Sequence, residues 1–351
     1  MKKTAVVLLN LGGPDSLEGV KGFLFNLFND KAIINLPNPF RWLIAKIISS
    51  TRSGKTKNIY SNIGGGSPLL ELTKLQAKAL EKSLMTVQKK VEFKVFVSMR
   101  YWHPFSWEVV EEIKIFGADE VLLLPLYPQF STTTTKSSID DFKKNLKNVP
   151  IKAVCCYYDD SFFIEAHLEK IKSLYQKVKN KDKKIRILFS AHGLPKSVIE
   201  KGDPYQWQIE KTVEAIMKKL SVEYVVCYQS KVGPMKWLEP NTESEIQRAA
   251  EEGFAVIIVP IAFVSEHSET LYELDIQYKE LADKIGLKGY YRTEALGVDE
   301  LFIESLTKTT LKLSNLRAGS KDVVISSGLK RACPKQFCEC INRYKESLDV
   351  K

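Results

Sequence analysis

No stretch of this 351-residue chain is apolar and uninterrupted for long enough to cross a bilayer. The longest candidate, Ala32 to Ile48, carries two prolines together with Arg41 and Lys46, whereas a spanning helix needs about 20 predominantly apolar residues. A secretion signal is lacking too. Met1-Lys2-Lys3 followed by Thr4 to Leu9 imitates one, but the apolar run is short and no small-residue cleavage site follows, so the segment reads as a first strand. The expectation is a protein that remains in the cytoplasm. Cysteine is scarce, at six residues, and without a signal these thiols argue for reduced side chains or metal ligands rather than structural disulfides. A phosphate loop is absent: Arg52-Ser53-Gly54-Lys55-Thr56 contains GKT, but Ser49 stands where the earlier glycine is required and no strand precedes it. The net charge of +10 suits nucleic acid, an anionic membrane surface or an acidic small molecule. Its cations are dispersed among acids apart from 177–184, which reads as a solvated linker, and no nucleic-acid-binding motif is found.

What is present is ample core, 44% hydrophobic residues over a length sufficient for two domains. Three pairs of segments look alike and occur in the same order. Val6 to Pro14 pairs with Ile187 to Pro195, Val91 to Ser98 with Val222 to Gln229, and Val121 to Leu126 with Val256 to Ile261. The reading is two similar doubly wound, Rossmann-like α/β domains with parallel sheets. The offset is about 180 residues at the first pair and about 130 at the others, so the first half should carry roughly 50 extra residues after its first strand. The expected division is 1–157 plus 292–351 for the first domain, with an apolar insertion over about 14–60 and C-terminal helices, and 158–291 for the second. The insertion holds Phe23, Leu24, Phe25, Phe40, Trp42 and Leu43, which suit a wall for a flat apolar ligand, a shallow membrane contact, or ordinary packing.

The chemistry concentrates in Pro260 to Asp275. An apolar strand, Phe254 to Val259, runs directly into a helical pattern for which Ser265 is a plausible N-cap. At about 100° per residue, Glu266, Glu269 and Glu273 share one stripe, with His267 on the adjacent apolar one. A solvated acidic face is the plainer reading. Position argues for more, because open α/β sheets bind ligands at the carboxyl ends of their strands. His192, in Ser190-Ala191-His192-Gly193-Leu194-Pro195, ends another strand of the same half and is a candidate general base or metal ligand. With Glu269 it would form a sparse nitrogen and oxygen site, better suited to releasing ferrous iron than to storing it.

The chain resembles the ferrochelatases. The motifs are LNLGGP at Leu9 to Pro14, IGGGSP at Ile63 to Pro68, RYWHP at Arg100 to Pro104 and PLYPQFS at Pro125 to Ser131. They continue with SAHGLP at Ser190 to Pro195, CYQSKVGPMKWLEP at Cys227 to Pro240 and PIAFVSEHSETLYELD at Pro260 to Asp275. The resemblance implies a chelatase-like fold and insertion of ferrous iron into protoporphyrin IX to make protohaem. It implies His192 as the base or a ligand of the metal, Glu269 as its partner, and His267, Glu266 and Glu273 as a supporting polar path. Leu11, Tyr228, Trp237 and Phe263 match positions lining the porphyrin. Arg52 matches a propionate-holding position with Tyr60 and Ser67 nearby, and Arg100 and Tyr101 are retained. Leu11 and the long apolar insertion favour protoporphyrin over coproporphyrin. A noncatalytic haem carrier on the same scaffold is the reading from another class, disfavoured by the presence of both His192 and Glu269. Some members hold a [2Fe-2S] cluster on four thiolates. Here Cys333, Cys338 and Cys340 with Cys155 or Cys156 are the candidates, although their spacing is shorter than the family's and Thr132 replaces the animal body cysteine. The expected location is cytoplasmic, with the apolar insertion peripheral to the inner face of the cell membrane.

Overall fold

The computed structural model describes residues 1–316 and 323–342. Nine strands occur among these: β1 Lys2–Asn10, β2 Val91–Met99, β3 Glu120–Pro125, β4 Ile151–Cys156, β5 Ile185–His192, β6 Glu223–Gln229, β7 Ala255–Pro260, β8 Tyr290–Arg292 and β9 Val323–Ser326. They form two parallel sheets, ordered β2-β1-β3-β4-β9 and β6-β5-β7-β8. The chain divides into two compact units accordingly. The first comprises Met1–Cys156, Leu306–Ala332 and the chain from Ile341; the second comprises Tyr157–Ser305 and Cys333–Cys340. The repeated strand pairs are thus β1 with β5, β2 with β6 and β3 with β7, and the doubly wound reading holds.

In the first unit, β1 and β3 are apolar along most of their lengths because helices cover both faces of a parallel sheet. Between β1 and β2 run α1 Val20–Phe28, α2 Phe40–Ser61 and α3 Leu69–Val87. The first two occupy the expected insertion. Helix α4, Ser106–Phe116, ends at Gly117, whose φ of 72° is the left-handed C-cap conformation that glycine adopts without strain. Helix α5, Ser137–Asn145, leads to β4 after a short π-helix, Thr132–Lys136. One core cluster unites β1, β3 and β4 with α4 and α5 through Ala5, Val7, Val110, Val121, Phe142 and Ala153.

The second unit begins with α6, Ser161–Val178, capped by Asp160, whose carboxylate accepts from the amides of Phe162 and Phe163. Helices α7 Lys196–Glu200 and α8 Tyr205–Met217 separate β5 from β6, and α9 Thr242–Glu251 separates β6 from β7. A nine-residue π-helix, Glu269–Gln277, then continues into α10, Tyr278–Lys284. The second unit extends to Ser305, beyond the expected limit at 291, because β8 pairs with β7 and α11, Glu300–Asn315, straddles the boundary. The β5–β6 register sets His192 opposite Gln229, and β7 joins the same edge with Pro260 opposite Ser190.

Candidate metal-insertion site

The carboxyl edge of the second sheet gathers the ionisable groups. His192 closes β5, and its Nδ1 lies 2.7 Å from Oε2 of Glu269. The imidazole side chain is 37% exposed and the carboxylate 26%, so the pair is anchored yet open to a ligand. The Tyr205 hydroxyl donates to the His192 carbonyl at 3.1 Å, fixing the strand end from behind. Burial alone would disfavour charge on both partners, but each favours the other's ionised form. Against desolvation, the charge and hydrogen bond of Glu269 raise the His192 pKa. Those of His192 in turn bring Glu269 down to about 2.

Gly193 follows directly. A Cβ there would stand 2.8 Å from the Gln229 carbonyl, which accepts from the Gly193 amide at 2.9 Å, so this close crossing requires glycine. The loops after β5 and β6 pair briefly through Pro195 and Trp237, setting the Trp237 ring beside Gly193. Tyr228, on β6, is buried with its hydroxyl unpartnered in the protein. Phe263 stacks edge-on against His267 with ring centroids 4.5 Å apart.

The helix bearing the acids differs from expectation in ways that sort them. It is π rather than α, and begins at Glu269 after Ser268, not after Ser265. With i→i+5 bonding the turn is wider than an α-turn, so Glu269 and Glu273, four apart, project to one side. Glu266 precedes the helix and leaves the stripe altogether. It accepts from Nη1 of Arg292 at 2.9 Å and from the Ala295 amide at 2.8 Å, and Arg292 also binds Asp275. Burial would raise its pKa, but Arg292 holds it below the usual carboxylate range. Glu266 is thus engaged in an ion pair with Arg292. His267 is turned into the helix start: its Nδ1 accepts from the Thr270 amide at 3.3 Å, and burial lowers its pKa.

Two residues that sequence reasoning passed over join Glu269 to Glu273. The amide of Ser230 donates to Oε1 of Glu273 at 2.8 Å, and its hydroxyl lies between Oε2 of Glu273 and Oε2 of Glu269, 3.1 Å from the latter. Gln229 is held by Ser190, and its amide nitrogen reaches the Glu269 carbonyl at 3.3 Å and Oε2 of Glu273 at 3.4 Å. Both stand inside the CYQSKVGP motif at a strand end, the one signal that would have found them. Burial and the neighbouring Glu269 charge raise the Glu273 pKa.

The first unit holds the remaining candidates. Leu11, Tyr60 and Tyr101 share an apolar cluster with Val20, Phe23 and Leu24. Arg52 lies over the Phe28 ring at 5.8 Å, and the Ser67 hydroxyl accepts from the Leu69 amide at the start of α3. Arg100 pairs with Asp30 at 2.8 Å and Asp141 at 3.4 Å, and donates to Ser137. Tyr101 is 1% exposed, and its hydroxyl donates to the same Asp30. Burial of Asp30 is outweighed by Arg100 and its hydrogen-bond donors, which keep its pKa low. Arg100 and Tyr101 are thus committed to an internal network.

Cys155 and Cys156 are buried in β4, in the first unit. In the second, Cys333 and Cys340 pack with Phe337 against Trp207, while exposed Cys338 directs its thiol to the Lys201 carbonyl. Among the described residues, no group of three or more His, Cys, Asp or Glu is arranged to hold a metal ion.

A family model described as Ferrochelatase matches residues 3–313. A curated ferrochelatase of Rickettsia bellii is 53% identical over 97% of this chain and 95% of its own length. One from a Wolbachia of Drosophila simulans is 54% identical over 89% of this chain and 99% of its own.

Proposed function

The chain belongs to the ferrochelatase family, and from that premise we propose that His192 is the base that strips the porphyrin of its pyrrole protons while Glu269 fixes and charges it. The reaction is that of a lyase in haem biosynthesis, with ferrous iron and a porphyrin as substrates. Two N–H bonds must break as iron enters. A neutral imidazole accepts such a proton at one nitrogen only if the other is held as donor, and the 2.7 Å contact of Nδ1 to Glu269 supports that tautomer, leaving Nε2 for substrate. This contact carries the proposal.

Glu269 is also the carboxylate that incoming iron would meet, with His192 the second candidate ligand. A two-group site already joined by its own hydrogen bond favours passage over residence. Glu273, reached through Ser230, is the proposed outlet for protons. Tyr228 and the rings of Trp237 and Phe263 are proposed to line the porphyrin pocket. In the first unit, Leu11, Arg52, Tyr60 and Ser67 are proposed for the ring periphery, and Arg100 with Tyr101 for shaping that unit. The apolar surroundings of Leu11 support protoporphyrin IX over coproporphyrin.

Among the described residues no helix is long and apolar enough to cross a membrane. Helix α2 and the turn before it nevertheless expose Leu36, Phe40, Trp42, Leu43 and Ile47 beside Arg41 and Lys46. Apolar side chains flanked by cations suit shallow contact with an anionic bilayer. Flotation with vesicles containing anionic lipid should recover the parental protein but not Phe40→Ser/Leu43→Ser.

The decisive assay is anaerobic, with ferrous iron and either protoporphyrin IX or coproporphyrin followed by visible absorption. Porphyrin binding without a metallated spectrum would overturn the proposal, and faster turnover of coproporphyrin would reverse the substrate choice.

A further inference from the structure

Ser230 sits immediately after β6 with a φ of 64°, in the left-handed region that glycine occupies freely and other residues seldom enter. What serine adds over glycine here is a CH2OH group, whose hydroxyl oxygen lies between the carboxylates of Glu269 and Glu273. Its own amide grips Glu273 from the backbone, so three contacts from a single residue span both acids. The neighbouring Gln229 ties the same two helix positions to β5 through Ser190.

Oε2 of Glu269 has two partners, Nδ1 of His192 and the Ser230 hydroxyl. A hydroxyl carries one donor proton and can serve only one carboxylate at a time. With iron in the imidazole's place on that oxygen, Ser230 would be its remaining partner among the contacts described. We propose that Ser230 is a positioning residue for metal entry: it sets the spacing of Glu269 and Glu273, and keeps Glu269 aimed once iron has taken the place of His192. The inference rests on Glu269 meeting the metal, as proposed above.

Ser230→Gly suits the backbone and removes the hydroxyl together with the Cβ that carries it. It should raise the KM for ferrous iron about tenfold, as expected for losing a hydrogen bond to a charged group, with the KM for protoporphyrin IX within about twofold of the parent. Ser230→Asn, which tolerates left-handed backbone and restores a donor, should recover part of the loss. An unchanged iron KM in Ser230→Gly would overturn the assignment. A parallel rise in both KM values with a lowered melting temperature would also overturn it, since that is what a merely structural role produces. His192→Ala and Glu269→Gln are measured alongside. If both keep parental rates, the underlying site reading fails; if both lose activity while Ser230→Gly is silent, only the role of Ser230 falls.

Discussion

The two units carry the same strand order and the same placement of a π-helix after the third strand, yet they use charge in opposite ways. In the first, the π-helix reads TTTTK, β1 ends in Asn10, and Arg100 after β2 is drawn into a network with Asp30, Ser137 and Tyr101. In the second, the π-helix begins with Glu269, β5 ends in His192, and the residue after β6 is Ser230, poised between two acids. Satisfied ionisable groups make architecture; groups that satisfy each other at a partly open strand end remain available for chemistry. One scaffold supports both because the strand ends, not the sheets, carry the difference.

Breaking the open pair should cost the most. His192→Ala is expected to lower iron insertion by about 10³-fold, within the range for losing a general base, with a nearly unchanged melting temperature. Arg100→Ala tests the closed network and should do the reverse, costing about 3 kcal/mol in denaturant unfolding because Asp30 is left buried without its cation. A larger loss of activity than of stability there would erase the contrast between the units.

Glu269→Gln should reduce turnover about tenfold and also move its pH dependence, since a hydrogen bond to a charged group is lost. The fold raises the His192 pKa through Glu269, so the neutral base appears only as pH climbs past that raised value. Without the carboxylate charge the acid limb of the rate profile should shift to lower pH. The stability contribution of the pair has matching signs. The His192 part is complete below its ordinary pKa and is lost as pH rises through the raised one. The Glu269 part is present above the ordinary carboxylate range and is lost as pH falls through about 2. Smallest of all, Glu266→Gln should leave turnover within about twofold and cost about 1 kcal/mol of stability, since Glu266 is paired with Arg292. A severe loss of turnover in this variant would place Glu266 on the path behind Glu269.

The strands were legible because parallel-sheet cores are written as apolar runs, and the repeat paired β1, β2 and β3 with β5, β6 and β7. The His192 and Glu269 partnership was legible because His192 ends one such run and Glu269 lies on the helix that follows another. What was not legible depended on local backbone geometry or on distant partners. Periodicity near 100° per residue assumes an α-helix, and the wider π-turn kept Glu273 with Glu269 but left Glu266 outside. The capture of Glu266 is made by Arg292, 26 residues away, on a short strand with no distinctive pattern. Ser230 was visible only as one letter of a motif, since its left-handed backbone is invisible to hydrophobic patterning.

The route of the chain between the two units bears on how it is made. All four strands of the second sheet lie within 185–292 and can pair as soon as that stretch has left the ribosome. The first unit begins earlier but finishes later: β4 must wait for Val323–Ser326 to complete its pairing. Until then β4 is an open edge, able to accept a foreign strand. The unit synthesised first is the last to close, and a chain truncated after Ser305 would retain the complete second sheet while leaving that edge of the first exposed.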